Sequence, residues 1–290
     1  MKKLTKILMI SAACACIGLS SCQKGFDPKS YAPTKPLPTF GGYSKSADIE
    51  PASLVAYWPF NGTLADSLSS TTGVATKTSF NAGIKGQGLQ GADNGYVVTD
   101  VPAAVKSVHS FTLSTWVKMP QNTSALGVLS IANDQIGGPG FWGSLDIFFD
   151  NGSANTATTG ILKVHAFSIA GSPNGVDAWE GGYVVANPWN NWINILVTYD
   201  DVASTVTVYY NGAVAGTNTV PTFKPLDWSN ATKMVFGTLQ FQTTPSLTAN
   251  TGAQGWAGYL TGTLDQVRIY NKVLSATEVS ALYNLEKLGR

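Results

Sequence analysis

The side chains that could do chemistry are few and unevenly placed. His109 and His165 are the only histidines, and all three cysteines, Cys14, Cys16 and Cys22, fall within the first 22 residues. Two histidines make no case for a Ser-His-Asp constellation or a His-rich metal site. A chain without cysteine beyond residue 22 has no disulfide framework, thiolate zinc site or cysteine nucleophile there. Carboxylates draw notice in two places: Asp146 and Asp150 in Ser144-Leu145-Asp146-Ile147-Phe148-Phe149-Asp150, and the pair that brackets a ring in Asp177-Ala178-Trp179-Glu180. Aromatic residues with small polar neighbours are more abundant: Phe141-Trp142, Trp179, Tyr183, Pro188-Trp189-Asn190-Asn191, Trp228 and Trp256. Rings of this kind stack on the C–H faces of sugars, while Asn, Asp and backbone groups pair with hydroxyls. Trp142, Trp179 and Trp189, with Asn190 and Asp146, are therefore the expected carbohydrate-binding residues.

The N-terminus has a separate chemistry. Lys2, Lys3 and Lys6 precede an apolar and small-residue run over residues 7–19, too short to span a bilayer, which needs about 20 apolar residues. Basic start, short apolar core and small residues before a break describe a secretory signal. The break, Leu19-Ser20-Ser21-Cys22, resembles the lipobox of bacterial lipoproteins, which implies cleavage before Cys22 and acylation of its sulfur. Several acyl chains on one cysteine bind a membrane stably. Residues 1–21 are thus expected to be the signal peptide, and 22–50, with Pro28, Pro33, Pro36, Pro38, Gly41 and Gly42, a flexible tether. The following Gln23-Lys24-Gly25-Phe26-Asp27 points to the outer membrane, with cell surface and periplasmic face both open.

Removing Lys2, Lys3 and Lys6 takes the basic count from 18 to 15 against 17 acids, a charge of about −2, so nucleic acid is not an expected partner. Charged residues make up 12%, about half the usual share, with Gly, Ser, Thr, Asn and aromatics in their place. Period-two patterns mark strands at Phe111-Thr112-Leu113-Ser114-Thr115-Trp116-Val117 and Trp192-Ile193-Asn194-Ile195-Leu196-Val197-Thr198-Tyr199. Asn211-Gly212 joins residues 205–210 to 213–215 as a hairpin, because both turn residues adopt positive φ there. Further strands are expected at 54–60, 96–99, 145–149, 161–169, 234–237 and 262–270. One helix closes the chain, begun by a Ser275/Glu278 capping box with Leu274 and Val279 as its staple. The whole describes an all-β sandwich.

The order of these segments resembles the laminin G-like, concanavalin A-like lectin/glucanase superfamily. The opening Leu54-Val55-Ala56-Tyr57-Trp58-Pro59-Phe60-Asn61-Gly62, the strand through Trp116, the Trp192 to Asp200 section followed by Tyr209-Tyr210-Asn211-Gly212, and the close Gly262-Thr263-Leu264-Asp265-Gln266-Val267-Arg268-Ile269-Tyr270 carry the likeness. It implies a jelly-roll of two antiparallel sheets over residues 51–290, with the short C-terminal helix, and long stretches at 133–191 and 224–256 where binding function tends to sit. It also implies a structural Ca²⁺ held by Asp265, Asn61 and Asp66, since Ca²⁺ takes six to eight oxygens. The β-glucanase branch places Glu-x-Asp-x-Glu, or a bulged Glu-x-Asp-x-x-Glu, on one strand; here Asp146 fits the middle position, but Ser144 stands at the nucleophile position and Phe148 or Phe149 at the acid position.

The expected function is carbohydrate capture by an envelope lipoprotein, serving a glycan-uptake system and without chemistry on the sugar. A glycoside hydrolase with an unusual carboxylate pair, such as Asp177 and Glu180, and an adhesive protein-binding domain are the alternatives.

Overall fold

The computed structural model describes residues 36–133, 141–170, 175–248 and 251–290; Cys22, the expected signal segment and most of the expected tether lie outside them. Residues 39–290 form one compact unit. Among the described residues no helix is long and apolar enough to cross a membrane.

Sixteen strands build two sheets. In chain order they are β1 (Leu54–Trp58), β2 (Val74–Thr76), β3 (Ser79–Ala82), β4 (Gln87–Gln90), β5 (Tyr96–Asp100), β6 (Phe111–Lys118), β7 (Ala125–Asn133) and β8 (Leu145–Asp150). Then follow β9 (Thr159–Ser168), β10 (Val176–Ala186), β11 (Ile193–Asp200), β12 (Thr205–Tyr210), β13 (Ala213–Thr219), β14 (Ala231–Phe236), β15 (Ala257–Gly258) and β16 (Thr263–Tyr270). The first sheet runs β13-β12-β11-β6-β16-β4-β3, with β1 on β16; the second runs β10-β9-β8-β7-β14-β5-β2, with β15 beside β7. Every pairing is antiparallel except the short β15–β7 one. The expected sandwich of two antiparallel sheets is what the chain forms.

Strand alternation sorts side chains between a shared core and two outer faces. Leu145, Ile147 and Phe149 of β8, and Leu162, Val164 and Ala166 of β9, enter the core with Leu113, Ile195, Val197, Leu264 and Val267 from the opposite sheet. The sequence reading missed β7, whose nine residues are all buried, because a strand covered on both faces shows no alternation.

The outer face of the first sheet is closed by its own chain. The C-terminal helix, α2 (Ala276–Lys287), follows a four-residue helix α1 (Ala103–Lys106) and begins with the expected capping box: Ser275 Oγ accepts from the Glu278 amide, and Glu278 Oε2 accepts from the Ser275 amide at 2.7 Å. Val279, Leu282 and Leu285 of α2 pack with Leu196, Tyr209, Tyr270 and Leu274. Glu286, fully buried, accepts from Trp116 Nε1 and Arg268 Nε, both at 2.7 Å. Residues 39–50 belong to the compact unit. Ser46 and Ile49 are buried, Phe40 and Tyr43 pack against the α2 cluster, and Ser46 Oγ donates to the Arg290 carbonyl at 2.7 Å. These apolar side chains among the prolines and glycines are what hold the segment to the domain.

Candidate functional site

Among the described residues no helix or chain end covers the outer face of the second sheet in the same way, and it is there that aromatic residues gather. On β8, with Leu145, Ile147 and Phe149 inward, Asp146 and Phe148 point outward. On β9, His165 points outward; on β10, Asp177 and Trp179 do. Cross-strand pairing sets His165 opposite both Asp146 and Trp179. The long stretches between strands then add Phe141 and Trp142 before β8, Phe241 after β14, and Trp256 before β15.

The rings form two layers. Phe148 and Phe241 are buried and make the floor, with His165 beside them. Trp142, half-buried, stacks on Phe148 at 5.2 Å and 21°. Trp179 meets Trp142 edge-on at 4.8 Å, and Trp256 lies 6.0 Å from Trp142 on another side. Trp179 and Trp256 are 46% and 45% exposed, a large opening for rings of this size on a soluble surface. Their supports are specific. Gly143 N donates to Asp146 at 2.7 Å and Gln240 Nε2 to the Phe141 carbonyl at 3.1 Å, fixing the backbone on both sides of Trp142. The Trp256 carbonyl accepts from Ala125 N at 2.8 Å, tying it to β7.

Beneath the rings runs a polar chain. Ser130 Oγ donates to Asp146 Oδ1 at 2.5 Å, Asp146 Oδ2 lies 3.1 Å from His165 Nδ1, and His165 Nε2 lies 2.7 Å from Asp177 Oδ1. Burial alone would push the His165 imidazole down, but hydrogen bonds and charge from Asp146 and Asp177 outweigh it and hold it above its ordinary value. The order is Ser–Asp–His–Asp, so the hydroxyl faces a carboxylate and not an imidazole base, and no activated nucleophile results. Asp146 is fully buried, whereas the Asp177 side chain is 60% exposed. A glycoside hydrolase needs two carboxylates flanking one bond; among the described residues the exposed carboxylate beside these rings is Asp177, while Asp150, at the far end of β8, is paired with Lys163.

Several expected site residues lie elsewhere. Trp189 is a core residue, 6% exposed, edge-on to Phe149 at 5.5 Å, with Nε1 donating to the Thr156 carbonyl. Asn190 lines a separate cleft of about 300 Å³ with Asn81, Gln90, Lys118 and Thr263. Asp146 supports the site from below, out of reach of a ligand. Asp177 and Glu180 do not converge: three positions apart on β10, they face opposite ways, and Glu180 turns toward β13 to accept from Asn218 Nδ2 at 2.7 Å. Burial raises the Glu180 carboxyl, and hydrogen bonds from Asn218 and Tyr183 offset part of that rise. Trp228 is fully buried against Phe111. His165, by contrast, carried no weight in the sequence, although the inward set Leu162, Val164 and Ala166 already put it on the outer face.

The three residues expected to hold calcium each accept hydrogen bonds from backbone amides. Asp265 accepts from Lys85 N and Gln266 N, and Asn61 from Gln87 N, so both brace the 83–87 turn. Burial pushes the Asp265 carboxyl up to about 6. Asp66 Oδ1 accepts from Tyr57 N at 2.7 Å, but its Oδ2 is buried without a partner, the one oxygen of the three that suits a cation. Among the described residues no group of three or more His, Cys, Asp or Glu is placed to hold a metal.

The chain is a jelly-roll with one sheet face closed by its own helix and exposed aromatics on the other. The chain belongs to the concanavalin A-like lectin/glucanases superfamily, whose family model matches residues 89–280. Among solved structures it is similar to domain 4 of AbnA, a GH43 extracellular arabinanase from Geobacillus stearothermophilus, in complex with arabinotriose. That match has a TM-score of 0.53 at 19% identity and covers 80% of this chain and 98% of that one. It is also similar to the binding domain of Paraclostridial Mosquitocidal Protein 1, with a TM-score of 0.57 at 16% identity over 80% of this chain and 52% of that one. The botulinum neurotoxin serotype D/C VPI 5993 binding domain matches with a TM-score of 0.54 at 16% identity over 81% and 52%. The chain thus spans about half of these toxin binding domains, and at such identities the likeness is one of fold. No curated protein matches the chain.

Proposed function

We propose that this protein binds carbohydrate on the outer face of its second sheet, through Trp142, Trp179 and Trp256, without cleaving it. The observation that carries the reading is the pair of half-exposed indoles seated on a buried aromatic floor. Exposed rings on a rigid base present stacking surfaces without ordering any loop on binding, which keeps the entropic cost low. The arabinotriose-bound relative of the same fold supports the class of ligand. The lipobox-like Leu19-Ser20-Ser21-Cys22 supports a lipid anchor on Cys22 and a place in the outer membrane, where capture would feed a glycan-uptake system. A structural calcium ion would use Asp66 Oδ2, with backbone carbonyls supplying the remaining oxygens.

The test is an affinity gel of the full chain in neutral detergent against a panel of polysaccharides, with reducing-end release read in the same samples and with chelator as one arm. Retardation without release is expected. Trp179→Ala or Trp256→Ala should weaken retention about tenfold or more, the scale of a central aromatic contact, while Trp189→Phe, a core change, should leave it. Release of reducing ends, or retention indifferent to both exposed tryptophans, would overturn the reading. Loss of retention in chelator would assign the ion a role.

A further inference from the structure

Resting on that reading, the polar chain beneath the rings narrows the ligand. We propose that Asp177, held by His165, is a specificity-determining residue that admits uncharged and amino-bearing glycans to the platform and excludes acidic ones.

The argument begins with what stands beside Trp179. Asp177 and Trp179 are two apart on β10 and so share the outer face. One Asp177 oxygen accepts from His165 Nε2 at 2.7 Å, yet the side chain stays 60% exposed, so the carboxylate reaches solvent next to an exposed indole. The His165 ring lies 4.6 Å from that indole and 1% exposed, which fixes Asp177 relative to the stacking surface. An anchored carboxylate there accepts hydrogen bonds from sugar hydroxyls without losing rotamer freedom on binding.

The charge balance follows from the same geometry. The His165 imidazole sits between Asp146 and Asp177, so at most one cation serves two carboxylates, and the group carries an excess of at least one negative charge. The neighbouring Lys163 is paired with Asp150 at 2.5 Å and brings no net charge. Among the described residues no lysine or arginine forms an ion pair with Asp177 or Asp146; their one cationic partner is His165. A ligand carboxylate stacked on Trp179 would face this uncompensated charge, and like charges brought together in an interface are strongly unfavourable. A hydroxyl meets an acceptor, and an ammonium meets a counter-charge with indole faces beside it.

The experiment compares matched polymers on one affinity gel at low salt: hydroxyethyl cellulose with carboxymethyl cellulose, neutral galactan with polygalacturonate, and glycol chitosan as the cationic member. Full chain in neutral detergent is run as wild type, Asp177→Asn and Trp179→Ala. Wild type should retain the neutral member of a pair at least about tenfold better than the acidic one, with the gap closing as salt screens the exposed charge, and should retain glycol chitosan no worse than the neutral polymers. Asp177→Asn should narrow the neutral-to-acidic ratio, a change of selectivity that a merely misfolded variant would not give. Trp179→Ala should weaken neutral and acidic members alike. Equal retention of both members by wild type, or an unchanged ratio in Asp177→Asn, overturns the assignment while leaving carbohydrate binding intact. Absence of retention on every polymer defeats the carbohydrate reading and this inference with it.

Discussion

Replacing His165 by leucine isolates the energetics of the buried polar chain. Asp146 is fully buried and has three partners: Ser130 Oγ, Gly143 N and His165 Nδ1. The substitution keeps the first two and removes the only cation. Breaking a buried pair by deleting one member costs about 3–5 kcal/mol, because the remaining charge is stranded. Two surviving donors place this case at the lower end, about 3 kcal/mol. Asp177 adds little, since its side chain is 60% exposed and water replaces the lost partner. For a domain of this size about 3 kcal/mol corresponds to a fall in Tm of roughly 6–12 °C, read by thermal unfolding followed through tryptophan fluorescence. The double variant His165→Leu/Asp146→Leu should recover part of the loss, because no charge is then buried alone, though Gly143 N–H lacks its acceptor. The pH dependence gives a second readout. The His165 value is raised in the folded state, so its contribution is complete below the unfolded value of 6.5 and is lost as pH climbs through the folded value above it. Wild type should therefore lose its margin over His165→Leu on passing from pH 6 toward pH 9. A cost below about 1 kcal/mol, or a double variant as unstable as the sum of the two singles, would refute the closed Asp146–His165–Asp177 arrangement.

Other perturbations test separate parts of the structure. Glu180→Gln should raise Tm at pH 7: burial raises the Glu180 carboxyl, so its ionisation weakens the fold as pH rises, while glutamine still accepts from Asn218. The gain should vanish near pH 4, where the wild-type carboxyl is protonated in both states. Asp265, pushed up to about 6, should act the same way and cost stability as pH rises from about 4 to about 6, seen as a denaturation midpoint that falls over that window. Gly143→Ala should destabilise the domain and weaken glycan retention together, because its Cβ would lie 2.3 Å from the Ile131 carbonyl oxygen and displace the backbone that carries Trp142. Ser275→Ala should cost about 1 kcal/mol in chemical denaturation by removing the α2 cap.

What the sequence could and could not disclose follows from which contacts are local. The α2 cap spans four residues, and the Asn211-Gly212 hairpin six strand positions on either side, so both were legible. β7 was not, because burial on both faces erases the period that distinguishes a strand. Trp142, Trp179 and Trp256 were recognisable as loop or edge aromatics, but their grouping depends on three separate strand pairings. Trp189 carries the same sequence signs, a tryptophan between proline and asparagine, yet its indole fills the core against Phe149. Strand parity would have excluded Glu180 as a partner for Asp177, since an odd separation sends two side chains to opposite faces of a strand. That reasoning needed only the knowledge that residues 176–186 form a strand rather than a loop, which two successive glycines, Gly181 and Gly182, at positive φ and a shift in register conceal.

The two outer faces show how one chain closes one surface and leaves the other open. On the first sheet, outward Trp116, Arg268 and Tyr270 are large and partly polar, and each needs cover; α2 supplies it with Glu286 and Tyr283, the latter stacked on Trp116 at 5.5 Å. On the second sheet, the outward aromatics cover one another instead: Trp142 stacks on Phe148, Trp179 and Trp256 lean on Trp142, and His165 fills the space between. That solution buries the lower ring faces at the expense of exposing the upper ones. Stability alone would favour smaller polar residues at 179 and 256, so two half-exposed indoles on a supported floor are features whose physical advantage is realised only when something flat and partly apolar lies on them.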